Sequence, residues 1–247
     1  MLLKNKNAII TGARRGIGRA TVEVFAKNGA NIWACARKMD SNFELDMKML
    51  SERYRVNVQP IYFDTTDESQ IKAAVMNIRK SKLPIDILVN VAGVVEDSSS
   101  FVMTTPEKMK KVFEVNFFGL TLLTQYVSRL MIRQNKGSII NISSVAGIDG
   151  RPAQYEYASS KAAIIGGVRQ LARELAPYNI RVNAIAPGVV DTEMGELIEK
   201  SLKDTIVSNV MLNRIAKPEE VSNVIMFLSS DLSSYITGQV IRVDGGM

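Results

Sequence analysis

Residues 7–18 read NAIITGARRGIG. A short apolar run, 7–11, passes straight into Thr11-Gly12-Ala13-Arg14-Arg15-Gly16-Ile17-Gly18, and residues 17–28 then take helical spacing. Three glycines at a strand-to-helix turn let the backbone approach a pyrophosphate closely. The helix N-terminus behind them offers free N–H groups and the positive end of its dipole. Glycines also serve plain turns, but first strand, first turn and next helix is the context that a phosphate loop requires. Gly12, Arg14, Arg15, Gly16, Ile17 and Gly18 are therefore read as a dinucleotide-binding loop.

The rest of the chain repeats the alternation. Apolar runs at 31–36 (NIWACA), 57–63 (NVQPIYF), 85–90 (IDILVN), 138–142 (SIINI), 180–185 (IRVNAI) and 239–243 (QVIRV) are separated by helical patterns, notably 106–134 and 155–176. Pro60 marks an irregularity in the third run. The pattern predicts an α/β fold, a doubly wound Rossmann-type parallel sheet of about seven strands with helices on both faces. No low-complexity tract or repeat divides the 247 residues. A single domain over 1–247 is expected, with the Met-rich stretch 189–218 as a lid-like insertion.

Composition narrows the chemistry. The chain has no histidine and one cysteine, Cys35. Ser-His-Asp and Cys-His catalysis, His-rich metal sites and disulfide frameworks are excluded, and no metal site is expected. Acid–base work falls to Tyr, Lys, Asp, Glu or that one Cys. Apolar runs are too short to span a membrane, and 1–7 is too short for a signal peptide, so a cytoplasmic setting is expected. The net charge of +6 comes from dispersed cations without a nucleic-acid motif, and no nucleic-acid role is expected. The densest cluster, Lys108, Lys110 and Lys111, reads as a solvated helix face.

The second strand decides the dinucleotide. An NAD site usually ends that strand in an acid that holds the ribose 2′-OH. Here the place reads Ala34-Cys35-Ala36-Arg37-Lys38. With Arg14 and Arg15 nearby, Arg37 and Lys38 would meet a 2′-phosphate with positive charge, so NADP(H) is the expected cofactor; the bland reading is two cations at a solvated strand end.

Tyr157 and Lys161 lie four residues apart on a helical pattern, hence on one face. An ammonium near a phenol favours the phenolate, which makes the pair a sensible proton donor where histidine is absent. The run 138–142 ends in Ser143-Ser144, and ligands in open parallel sheets lie outside the carboxyl ends of strands. Those serines, the glycine loop and Asn90 should share one edge.

Taken together these stretches resemble the short-chain dehydrogenases/reductases over essentially the whole chain. The resemblance rests on TGxxxGxG (Thr11 to Gly18), Asp64, Asn90-Val91-Ala92-Gly93, Asn116, Ser144, Tyr157-x-x-x-Lys161, and Pro187-Gly188 followed by Thr192. Ser144 precedes Tyr157 by 13 residues, the family's usual interval. The resemblance implies that Tyr157 exchanges the proton, Lys161 holds the nicotinamide ribose and lowers the tyrosine pKa, Ser144 positions the carbonyl, and Asn116 supports a water relay to Lys161. It further implies that Asp64 contacts adenine, that Asn90, Ala92 and Gly93 line the cofactor, and that Pro187, Gly188, Val190 and Thr192 hold the carboxamide end. Ser143 falls off the interval and Tyr155 points to another helix face. The family's second Asn is Val91 here, which puts a local sheet contact in doubt.

TGARRGIGRA, NISSVAG, IRVNAIAPGVVDTEM and YITGQVIRVDGGM resemble the 3-oxoacyl-acyl-carrier-protein reductases of that family. This implies reduction of a 3-oxoacyl thioester on a strongly acidic carrier, whose docking a basic surface would steer. Arg129, Arg133, Lys136, Arg169 and Arg173 are candidate docking cations, although Asn135 and Tyr178 stand where basic residues are expected. The apolar residues Met194, Leu197, Ile198, Ile206, Val210, Met211 and Leu212 of the insertion would suit an acyl chain or a steroid ketone. Arg151, Glu96 and Asp149 could instead serve a sugar or polyol. A dehydrogenase of sugars, polyols or hydroxysteroids is the alternative, and a non-catalytic dinucleotide-binding regulator the remote one. The family resemblance also implies a homotetramer paired through the helices bearing Asn116 and Tyr157.

Overall fold

The computed structural model describes residues 1–196 and 205–247. Its seven strands are β1 (Asn7–Ile10), β2 (Asn31–Ala36), β3 (Val58–Tyr62), β4 (Ile87–Asn90), β5 (Gly137–Ile142), β6 (Ile180–Pro187) and β7 (Val240–Val243). They form one parallel sheet in the order β3-β2-β1-β4-β5-β6-β7. The order reverses between β1 and β4, and a crevice opens there at the carboxyl ends. Pro60 is tolerated because β3 is an edge strand, where a missing N–H breaks no central ladder.

The helices are α1 (Gly16–Lys27), α2 (Ser41–Tyr54), α3 (Glu68–Lys80), α4 (Pro106–Phe113), α5 (Gly119–Gln134), the short α6 (Ala146–Asp149), α7 (Tyr155–Leu175), the short α8 (Glu193–Glu196) and α9 (Pro218–Ser229). Strand alternation sends Ala8 and Ile10 to one face and Ile9 to the other. The first face packs with Phe25, Phe43, Met47, Val221 and Ile225. The second packs with Ile71, Val75, Leu123, Val127 and Leu175. Cys35 is buried in that second core, and burial pushes its thiol far above the ordinary range, so it is chemically quiet.

The helical pattern at 106–134 holds throughout, with a π-helical turn, Glu114–Phe118, between α4 and α5. A π-turn lets one residue slip out of the i to i−4 ladder, and it leaves the apolar spacing on either side helical. The lysine cluster is a solvated face at Lys110 and Lys111 but not at Lys108, which turns inward. Lys108 Nζ lies 3.2 Å from buried Glu156, and Lys111 Nζ lies 2.7 Å from Glu96.

The stretch 189–218 leaves the sheet through a narrow neck. Val190 bridges Ala216, Asp191 N donates to the Ala216 carbonyl at 2.8 Å, and Ala216 N donates to the Val189 carbonyl at 3.0 Å. Val210 is buried, while Met194, Met211 and Leu212 are exposed. Leu197 and Ile198 lie outside the described residues.

Candidate active site

The glycine loop is built for close approach. A Cβ at Gly18 would stand 2.1 Å from the Gly12 carbonyl oxygen, so no other residue fits without moving the backbone. Gly12 itself has φ +65° and packs against the Ala92 backbone. Side chains of Asp40, Asp67 and Thr105 cap α2, α3 and α4, whereas α1 begins at Arg15 with no side-chain cap. Its first-turn N–H groups thus face the loop with no capping side chain, the donor set that a pyrophosphate takes.

Around this loop the cations differ from one another. Arg14 lies 2.6 Å from Asp40, and Arg15 pairs with Glu193 of α8. Arg37 and Lys38 are exposed at the end of β2, and no hydrogen bond or ion pair engages their side chains among the described residues. Sequence reasoning missed both carboxylate partners. Asp40 is betrayed by its N-cap position before α2, but Glu193 is remote in sequence.

The next strand end carries the expected Asn-Val-Ala-Gly. Asn90 is 1% exposed and turned inward: its Nδ2 donates to Thr124 Oγ1 and to Asn141 Oδ1, each at 2.8 Å. Its amide braces β4, β5 and α5 from behind the crevice. The contact in doubt at Val91 is supplied by Thr11, whose Oγ1 accepts Val91 N at 2.9 Å and Ala92 N at 3.0 Å. Gly93 lies against both Asn116 and Lys161. A Cβ there would be 3.2 Å from Asn116 Oδ1 and 3.3 Å from Lys161 Nζ.

Asn116 sits in the π-turn, fully buried. Its Oδ1 accepts Val94 N at 2.8 Å, and its Nδ2 donates to the Val94 carbonyl and to Ser160 Oγ, each at 3.0 Å. Both ends of the amide hold the loop after β4 against the backbone of that turn. Ser160, not singled out from the sequence, also donates to the Tyr157 carbonyl at 2.7 Å.

Tyr157 is partly buried on α7, with Ser144 near enough to favour its phenolate, and Ser144 Oγ accepts Ala146 N at 3.1 Å. Lys161 is 3% exposed and donates to the Ile142 carbonyl at 2.9 Å. Its Nζ lies 5.9 Å from the Tyr157 ring centroid. Burial lowers the lysine pKa to about 8. Burial also raises the tyrosine pKa, and Ser144 and Arg151 pull it back. A lysine at i+4 thus shares a face with the tyrosine while its ammonium also serves a strand carbonyl. Ser143 is occupied by the Lys161 carbonyl at 2.8 Å. Tyr155 is exposed and stacks edge-on with Phe101, centroids 4.7 Å apart.

The far wall is the end of β6. The Pro187 carbonyl accepts Val145 N, Gly188 N donates to Val243, each at 3.0 Å, and Val190 is buried in the neck. Thr192 lies against the glycine loop, where a Cβ at Gly16 would come 3.1 Å from its Cγ2. Asp64 turns its Oδ1 onto Thr66 N and Oγ1, at 2.9 and 2.8 Å, and so closes a turn before α3.

A glycine loop, an uncapped helix start and a Ser-Tyr-Lys group thus converge on one sheet edge. Residues 12–247 match the family described as enoyl-(acyl carrier protein) reductase. The chain belongs to the short-chain dehydrogenase/reductase family. This short-chain dehydrogenase/reductase is an oxidoreductase acting on CH–OH or C=O groups. It is 44% identical to a 3-oxoacyl-[acyl-carrier-protein] reductase of Thermotoga maritima, over 100% of this chain and 99% of that one. It is 36% identical to a 3alpha-hydroxysteroid dehydrogenase of Mediterraneibacter gnavus, over 99% and 98%. A crystal structure of a 3-oxoacyl-[acyl-carrier protein] reductase from Brucella melitensis with bound NAD superposes with TM-score 0.88 at 32% identity, over 100% of this chain and 92% of that one. Among the described residues no helix is long and apolar enough to cross a membrane, and no His/Cys/Asp/Glu group is placed to hold a metal.

Proposed function

We propose that this chain is an NADP(H)-dependent ketone reductase acting on 3-oxoacyl thioesters. The observation that carries the reading is the Tyr157 phenol facing the Ser144 hydroxyl at the carboxyl edge, beside the uncapped start of α1. The relative from Thermotoga maritima supports the substrate class.

Gly12, Gly16, Ile17 and Gly18 would hold the dinucleotide pyrophosphate, with Arg37, Lys38 and Arg14 toward a 2′-phosphate. Gly93, Ala92, Lys161, Gly188, Val190 and Thr192 would hold its nicotinamide half. When bound, the reduced nicotinamide supplies hydride. Ser144 donates a hydrogen bond to the substrate carbonyl and fixes its place. Tyr157 gives its phenolic proton to the carbonyl oxygen as charge develops there. Lys161 keeps a positive charge beneath the site, and Asn116 with Ser160 fixes the backbone around it. Residues 189–218 act as the lid whose neck is tied at Val190 and Ala216.

Arg129, Arg133, Lys136, Arg169 and Arg173 are all exposed and form the surface for an acidic carrier protein. The outer positions Phe118, Thr121, Ala162 and Gly166 are exposed on the π-turn, α5 and α7, and serve as contacts of a homotetramer in the cytosol. Sedimentation that shows a monomer would overturn the oligomer.

A second reading, a hydroxysteroid dehydrogenase, is favoured by the apolar rim of Phe101 and Tyr155 and by the relative from Mediterraneibacter gnavus. A coupled assay with acetoacetyl thioesters, diketones, sugars and hydroxysteroids separates the two. The thioester is expected to give the highest kcat/KM with NADPH.

A further inference from the structure

Four carboxylates on the substrate side are already paired. Asp149 and Asp244 hold Arg242 at 2.8 and 2.6 Å, Glu96 holds Lys111 at 2.7 Å, and Glu156 holds Lys108 at 3.2 Å. Arg151 stands apart. It is partly buried in the loop between α6 and α7, and among the described residues its side chain reaches only the Met247 sulfur, 3.9 Å away. A thioether is a weak acceptor for a guanidinium.

The loop is held in place around it. Gly150 has φ +75° and Ala153 φ +61°, the latter an unfavourable conformation for alanine, and the Ala153 carbonyl accepts Ser99 N at 3.0 Å. Tyr157 lies near enough for the Arg151 charge to favour its phenolate. A half-buried cation without an anion is unfavourable by itself. It becomes favourable when a ligand brings the anion, and a guanidinium fork matches a carboxylate in two parallel bonds. The phosphates of a dinucleotide would lie at the start of α1, on the glycine loop. An anion meeting Arg151 beside Tyr157 would therefore come from the substrate.

We propose that Arg151 is a substrate-binding residue for a carboxylate carried near the reacting ketone, so that the chain also reduces free 3-oxo acids and prefers them to their neutral esters. The inference rests on the ketone-reductase reading. The ketone carbon gains hydride from the reduced dinucleotide, which is oxidised, and the oxygen gains the Tyr157 proton; the carboxylate takes no part.

The test compares 3-oxohexanoate with its methyl ester, alongside an acetoacetyl thioester, in the wild type, Arg151→Met and Arg151→Lys. The wild type should favour the acid at least tenfold in kcat/KM. Arg151→Met should lose that preference tenfold or more through KM, and Arg151→Lys should keep part of it. Calorimetry of the NADP⁺-loaded protein with 3-hydroxyhexanoate should show the same tenfold loss of affinity in Arg151→Met. Reduction of thioester and ester with no acid preference, or equal losses on acid and ester in Arg151→Met, would overturn the inference and leave the reductase reading standing. No turnover of any ketone together with no carboxylate binding would overturn both.

Discussion

Lys108 of α4 and Glu156 of α7 form an ion pair 3.2 Å long, one residue from the Tyr157 phenol's own backbone position. Glu156 is 1% exposed, and the same Lys108 ammonium binds the Asp97 carbonyl and Ser99 Oγ in the loop after β4. One cation therefore ties that loop to the helix that carries the proton donor. Removing it leaves a buried carboxylate uncompensated, which costs about 3–5 kcal/mol. Urea unfolding of Lys108→Met should show a loss near the lower end, since Lys108 keeps some solvent contact. Adding Glu156→Leu should restore most of it. An unchanged unfolding midpoint in Lys108→Met would show that the pair contributes nothing.

Tyr157→Phe removes the proposed proton donor and keeps the ring. Turnover should fall by about 10²–10⁴, while NADPH binding measured by fluorescence stays near wild type. Turnover within a few-fold of wild type would reassign the acid.

Lys161 gives a pH dependence of definite sign. Its pKa in the fold is about 8, below that of an exposed lysine. Below pH 8 the buried ammonium is protonated in both folded and unfolded chains, and the full penalty of about 3 kcal/mol is present. From pH 8 up to about 10.4 the unfolded chain holds the extra proton, so the penalty fades and this residue's contribution to stability rises. The difference in unfolding free energy between wild type and Lys161→Met should shrink across that window. Reduction should decline above pH 8 as the positive charge is lost. Lys161→Ala should weaken both turnover and cofactor affinity.

On the proposed reading the cofactor choice depends on Arg37, Lys38 and Arg14. Arg14 is shared with Asp40, so Arg37 should carry more of the discrimination. Losing one charge-assisted hydrogen bond is worth about 1.5–3 kcal/mol, so Arg37→Ala should cut the NADPH over NADH ratio in kcat/KM by about 10–10². Equal kcat/KM for both dinucleotides in the wild type would overturn the NADP(H) assignment.

Much of this site is written locally. The glycine loop needs no long-range information, because Gly12 and Gly18 are dictated by backbone contacts within one strand–turn–helix unit. The same holds for the face shared by Tyr157 and Lys161, which helix geometry sets. What escaped the sequence depends on distant partners or on hydrogen-bond register. Lys108 looked solvated because Glu156 is 48 positions away. The π-turn left no mark because a slipped hydrogen bond changes no residue type. Thr11 holds the Val91 and Ala92 backbone from the neighbouring strand, a contact between two motifs 80 positions apart. Arg15 and Glu193 pair only once the neck has brought β6's exit over the glycine loop.

That neck has an evolutionary consequence. Because Val190 and Ala216 are joined directly, the ends of the excursion stay a fixed distance apart whatever sequence lies between them. Exchanging 194–215 for a segment of another length need not shift β6, Thr192 or α9, nor Tyr157 behind them. Substrate range can then drift by replacement of one cassette while the machinery beneath is inherited intact.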